Sequence, residues 1–121
     1  MPATRVVFFA DEQGCPVLDW LDGLSRKVQV KAHVRIERLA EMGHELRRPE
    51  ADYLRDDIYE LRWRFQSVNY RILYFFNGRD VVVLSNGLAK EGRVPAHEIE
   101  LAINRKTKFE ADPVGHTYTE E

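Results

Sequence analysis

The stretch ELRWRF places Glu60, Arg62 and Arg64 at alternate positions. In an extended strand successive side chains point to opposite faces, so these three share one ionic face while Leu61, Trp63 and Phe65 share a greasy one. A second run, VNYRILYFF, puts Asn69, Arg71, Leu73 and Phe75 on one face. If the two runs pair so that Arg71 meets the first arginine face, three guanidinium groups crowd one sheet surface, an arrangement that costs stability. Guanidinium groups hold their charge among like neighbours and present a planar fork that matches phosphate oxygens, so the chemistry to expect is phosphate binding. Arginine cannot serve as a general base. The proton must go to another group: Lys90, if neighbouring cations lower its pKa, or Glu60, Glu91 or His97.

Two hairpin-forming runs and a third strand must carry those residues. Ile58 onward reads IYELRWRF, a break at Gln66-Ser67, VNYRILYFF, a turn at Asn77-Gly78, then DVVVLSNGL. Asn-Gly between β-rich runs predicts a type I′ turn, since both positions tolerate positive φ. The nearly all-apolar DVVVLS marks an inner strand. Upstream, RVVFFA predicts a first strand. Pro16 opens a helix with Val17, Trp20, Leu21 and Leu24 in register, and Ser25 caps a second whose Val28, Ala32, Ile36 and Leu39 form an apolar stripe, with Lys27, Lys31, Arg35 and Arg38 elsewhere. Gly43 stops it. The acidic, proline-containing segment 44–57 predicts a loop, Pro95 starts a last helix, and the tail from about 112 is expected to be poorly ordered. The architecture that follows is α+β: a small, antiparallel-rich sheet of about four strands, the two N-terminal helices on one face, a C-terminal helix, and one open sheet face.

At 121 residues the chain predicts one domain. No apolar run approaches membrane-spanning length and the N-terminus lacks a secretory pattern, so a cytoplasmic protein without membrane contact is expected. Cys15 is the only cysteine, which forbids an intrachain disulfide. His33, His44, His97 and His116 show no close metal-ligand spacing, so neither metal nor cofactor is expected. The net charge of −2 conceals an uneven distribution. Residues 1–25 hold one basic and four acidic side chains and residues 110–121 none and four, leaving the interior a basic surplus of five. That interior permits a phosphate-bearing partner.

Four segments in order, IYELRWRF, NYRILYFF, LSNGLAKEGRVP and HEIELAINRKTKFEADP, resemble the RelE/HigB superfamily of bacterial toxins, in particular its phage-derived HigB-like branch. The resemblance covers about residues 5–113. It implies a RelE-like fold and a metal-independent endoribonuclease that cleaves messenger RNA on the ribosome by 2′-hydroxyl attack on the adjacent phosphate. It also implies a cognate antitoxin, expected to be a helix-turn-helix protein. Carried onto this chain, the motif positions imply Arg62, Arg71 and Lys90 as catalytic; Arg64 and Arg93 are expected beside them as supporting phosphate-binding residues. Two positions depart from the pattern: Asn86 stands where many relatives have His before the glycine, and Glu91 where many have a second Lys. These departures favour an alternative, a catalytically silent module that keeps the arginine face for an antitoxin or RNA. A metabolic enzyme with a small-molecule pocket finds no motif here.

Overall fold

A computed structural model describes residues 4–120. The elements run β1 (Arg5–Phe8), α1 (Pro16–Asp22), α2 (Arg26–Met42), a 3-10 turn at Gly43–Glu45, β2 (Ala51–Arg55), β3 (Ile58–Phe65), β4 (Val68–Asn77), β5 (Val81–Ala89) and α3 (Ala96–Ala111). The strands form one α+β sheet in the order β1-β5-β4-β3-β2. β1 runs parallel to β5, and every other neighbouring pair is antiparallel.

The helices begin and end where local chemistry dictates. Pro16 occupies the first turn of α1, where its missing N–H costs nothing. Ser25 Oγ accepts the Val28 N–H at 3.4 Å to cap α2, and Gly43, at φ 54°, ends it with its N–H on the Leu39 carbonyl. α3 starts after Pro95 with Glu98 early and Lys108 late, as its dipole favours.

The sheet has five strands rather than four, because the segment expected to be a loop contributes β2, paired with β3 from Ala51↔Leu61 to Arg55↔Ile58. As an edge strand it carries Asp52 and Arg55, which protect an exposed edge and also hide its β character. Tight turns with two positive φ values close the β2–β3 hairpin at Asp56 and Asp57 and the β3–β4 hairpin at Gln66 and Ser67. Asn77-Gly78 makes no such turn: Asn77 still pairs with Val81, and the loop is the three residues 78–80, in which Gly78 takes φ 72°.

Both sheet faces are covered, which corrects the expectation of a wholly open one. α1 and α2 bury Leu61, Trp63, Ile72, Tyr74, Val82 and Leu84. α3 lies on the opposite face and buries Ile58, Leu73, Phe75 and Val83 with its own Ile99, Ala102 and Phe109. Covering β4 on both faces is why Ile72 to Phe75 are buried without alternation, with Leu73 and Phe75 on the same side as Arg71. The tail expected to fray lies along β1: Tyr118 N–H donates to the Phe8 carbonyl at 2.8 Å and Ala10 N–H to the His116 carbonyl at 2.9 Å. The His116 ring stacks on Phe9.

Trp20 of α1 presses on β5 at Gly87, where a Cβ would overlap the indole ring. Gly87→Ala is therefore expected to lower the stability of the fold by about 1–3 kcal/mol through overpacking. Urea denaturation followed by tryptophan fluorescence measures this directly.

Candidate anion-binding site

The register of β3 on β4 decides where the arginines meet. Arg62 pairs directly with Arg71, flanked by Glu60↔Leu73 on one side and Arg64↔Asn69 on the other. β5 extends the rows: Leu88 is the partner of Arg71, and Lys90 N–H donates to the Asn69 carbonyl at 3.0 Å. Three cross-strand rows result on the α3 face, Glu60–Leu73–Asn86, Arg62–Arg71–Leu88 and Arg64–Asn69–Lys90. α3 covers the hydrophobic part of this face and leaves the arginine rows beyond its N-terminus.

Glu60 sits beneath the two paired guanidinium groups. It is only 4% exposed and Arg71 7%, so both belong to the interior. Glu60 Oε1 lies 3.4 Å from Arg71 Nε and its Oε2 lies 3.9 Å from Arg62 Nε. These are contacts of charge rather than aligned hydrogen bonds, and Oε1 has no hydrogen-bond partner among the described residues. Burial pushes the Glu60 carboxyl above the usual carboxylate range, an effect that the positive charges of Arg71 and Arg62 oppose and that Asp52 reinforces. Asp52 is the cross-strand neighbour of Glu60 on β2 and carries its own counter-ion, Arg48, at 2.8 Å.

Past Arg62, β3 loses its β2 neighbour: the last link is Arg62 N–H to the Glu50 carbonyl at 2.8 Å. A cleft of about 250 Å³ opens there, walled by Arg35, Arg62, Trp63, Arg64, Asn69 and Arg71 among others. Four guanidinium groups thus line one cleft. Arg35 reaches it from α2 and pairs at 3.2 Å with Glu50, which also pairs with Arg38.

The other sequence candidates are spread around this centre. Arg64 and Lys90 are exposed at the ends of the outer row, and Glu91 and Arg93 are exposed in the loop before α3. His97, also exposed, stands on the first turn of α3 beside Glu98 at 3.4 Å. Asn86 is buried: Glu98 Oε1 accepts from its amide at 2.8 Å and Ser85 Oγ donates to its carbonyl at 2.6 Å. A bulge in the β4–β5 ladder accompanies this link, and Arg105 Nη1 donates to the Ser85 carbonyl at 2.7 Å. Sequence reasoning missed Arg35 and Asn69 as parts of the cleft and missed the burial of Glu60. Among the described residues there is no group of three or more His, Cys, Asp or Glu that could hold a metal ion. No helix among them is long and apolar enough to cross a membrane.

The family model described as Phage derived protein Gp49-like (DUF891) matches residues 19–107. The chain belongs to this Gp49-like family. The matched stretch runs from within α1 into α3 and holds every residue of the cleft and of the three rows. Comparison with curated proteins gives no match.

The raised pKa of Glu60 has a definite sign in the stability of this Gp49-like chain. The folded state holds the Glu60 proton more tightly than the unfolded state, so the resulting stabilisation is complete below the usual carboxylate range and is lost as pH rises through the folded pKa. The stability of the wild type minus that of Glu60→Gln should therefore fall as pH rises upward from the usual carboxylate range. Chemical denaturation of both proteins from that range upward checks it, and a flat difference would contradict the burial of this carboxylate.

Proposed function

We propose that this Gp49-like protein is the toxin of a toxin–antitoxin system in the RelE/HigB superfamily, a metal-independent endoribonuclease that cuts messenger RNA in the ribosomal decoding site. The observation that carries this reading is the direct pairing of Arg62 with Arg71 over one buried carboxylate. Two guanidinium groups share a single counter-ion, so the centre retains a positive charge for a phosphate even with Glu60 ionised. The forks are held in place before substrate arrives, and so less rotamer freedom is lost on binding.

In the proposed reaction the ribose 2′-hydroxyl gives up its proton, its oxygen bonds to the adjacent phosphorus, and the bond from phosphorus to the 5′-oxygen breaks. The departing oxygen takes a proton, leaving a 2′,3′-cyclic phosphate on one fragment and a 5′-hydroxyl on the other. Arg62 and Arg71 bind the phosphate oxygens and stabilise the charge that builds on them. Arg64 touches the same or the neighbouring phosphate, with Arg93 further out along the strand. Glu60 is a positioning residue: it is too deeply buried to meet a ribose freely and instead fixes the two forks. Lys90, exposed at the end of the adjacent row, is the group placed to meet the reacting ribose, either as the base or as a further phosphate ligand. Glu91 and His97 are left as exposed neighbours that could return a proton. The partners are the ribosome with its messenger and a helix-turn-helix antitoxin, in the cytoplasm.

Controlled expression of the chain alone should arrest bacterial growth, and Arg62→Ala and Arg71→Lys should each reduce cleavage by about 10²–10³-fold, the cost of removing one charge-stabilising donor. Arg71→Lys keeps the buried positive charge beside Glu60 but loses the fork, so its failure to cut separates bidentate phosphate recognition from loss of folding. Primer extension on a reporter messenger reads the cuts, which should require translation. Normal growth with abundant folded wild-type protein would instead favour a silent module that binds antitoxin or RNA.

A further inference from the structure

We propose that α2 carries a second anion-binding track, continuous with the arginine cleft, that holds the backbone of single-stranded RNA outside the reacting phosphate. The choice of RNA as the polyanion rests on the function proposed above; the track itself rests on geometry. Lys27, Lys31, Arg35 and Arg38 fall at i, i+4, i+8 and i+11 of one helix. At 100° per residue they occupy a sector about 80° wide and, at 1.5 Å per residue, a strip about 16 Å long. Val28, Ala32 and Leu39 are buried on the adjoining side of the helix, so the strip borders the sheet. Exposed Val30 and Val34, with Glu37 and Glu41, take the other flank.

Two interactions join this strip to the cleft. Arg35 is a wall of the cleft together with Arg62, Arg64 and Arg71. Lys31 Nζ stands 5.9 Å over the ring of Phe65, the residue directly after Arg64 on β3. The cations thus run without interruption from the sheet face, around the open edge of β3, and along α2. Their carboxylate compensation is thin. Glu50 alone serves both Arg35 and Arg38, and among the described residues neither Lys27 nor Lys31 has a salt-bridge partner. Like charges four residues apart weaken a helix, so this spacing works against α2 unless an anion lies along it. A linear polyanion fits the strip better than a compact one, because the charges are strung along an axis rather than converging on a point.

The test uses a fluorescently labelled 12-nucleotide oligothymidylate, which lacks the 2′-hydroxyl and cannot be cut by the proposed reaction, with anisotropy followed across a salt titration. Lys27→Ala combined with Lys31→Ala should weaken binding and reduce the slope of log affinity against log salt by about 1.4, since each phosphate of a single strand that is no longer neutralised accounts for about 0.7. Both lysines are exposed, so circular dichroism should be unchanged. Glu50→Gln should strengthen binding several-fold by releasing Arg35 and Arg38, an effect opposite to that of a purely structural role for this carboxylate. An unchanged slope in the double variant, or no binding by the wild type at low salt, overturns the track. The two readings fail separately. Cleavage that depends on Arg62 with an unaltered slope removes the track alone, whereas a reduced slope in a chain that never arrests growth removes the nuclease alone.

Discussion

Everything at the candidate site follows from forcing Arg62 and Arg71 into adjacent positions of one antiparallel ladder. Two unit charges at such a spacing repel strongly wherever water is partly excluded. Arg71 is almost fully buried, and the protein meets the cost with Glu60 underneath. One carboxylate cannot satisfy two guanidinium groups. Further out across the sheet a second carboxylate, Asp52, stands beside Glu60 and is itself paired with Arg48. The series ends with a deficit of negative charge on the open side. A phosphate would close that deficit, and the free lone pairs of Glu60 Oε1 show that the pair is not already optimised as a structural salt bridge.

The rest of the fold keeps this ladder rigid while leaving it accessible. α3 buries Leu73 and Phe75, which lie beyond Arg71 along the same face of β4, so half of that face is ordinary core. Asn86 and Glu98 tie the start of α3 to the bulged part of β5, and Arg105 holds the same stretch of β5 through the Ser85 carbonyl. On the reverse face Trp63 and Tyr70 stack at 5.7 Å beneath the arginine rows, with Trp20 against both. The arginines thus stand on a strand pair clamped from below.

Much of this was legible in the residues. The strands holding Glu60, Arg62, Arg64 and Arg71, the capping Ser25, the stop at Gly43 and the start after Pro95 all follow from local chemistry. The arginine alignment needed only the correct hairpin register, which the tight turn at Gln66-Ser67 sets. β2 was hidden because an edge strand is selected for charge rather than for alternation. The covering of the second face was written in Leu73 and Phe75, apolar residues sharing a side with Arg71, but an alternating neighbour strand outweighed them. The burial of Glu60 had no local signal: an acid between arginines reads as a solvated pair, and only the tertiary position of α3 and β2 removes its water. Arg35 enters the cleft from α2, far before Arg62 in the chain, a proximity no spacing rule reports.

The two arginine-bearing rows differ in a way that bears on proton transfer. In the Arg62–Arg71 row the groups are partly or wholly buried and pinned by Glu60, which suits a static charge and excludes proton exchange because guanidinium does not titrate usefully. Asn86 cannot serve either: its amide nitrogen donates to Glu98 and its oxygen accepts from Ser85, so both functional atoms are spent inside the fold. The Arg64–Asn69–Lys90 row is exposed at both ends, and Lys90 is its one side chain that carries an amine. If RNA is cut at this surface, the buried row supplies the field and the exposed row must move the proton. Under the proposed reaction, Lys90 rather than Glu60 is the residue whose loss would separate binding of the phosphate from its cleavage.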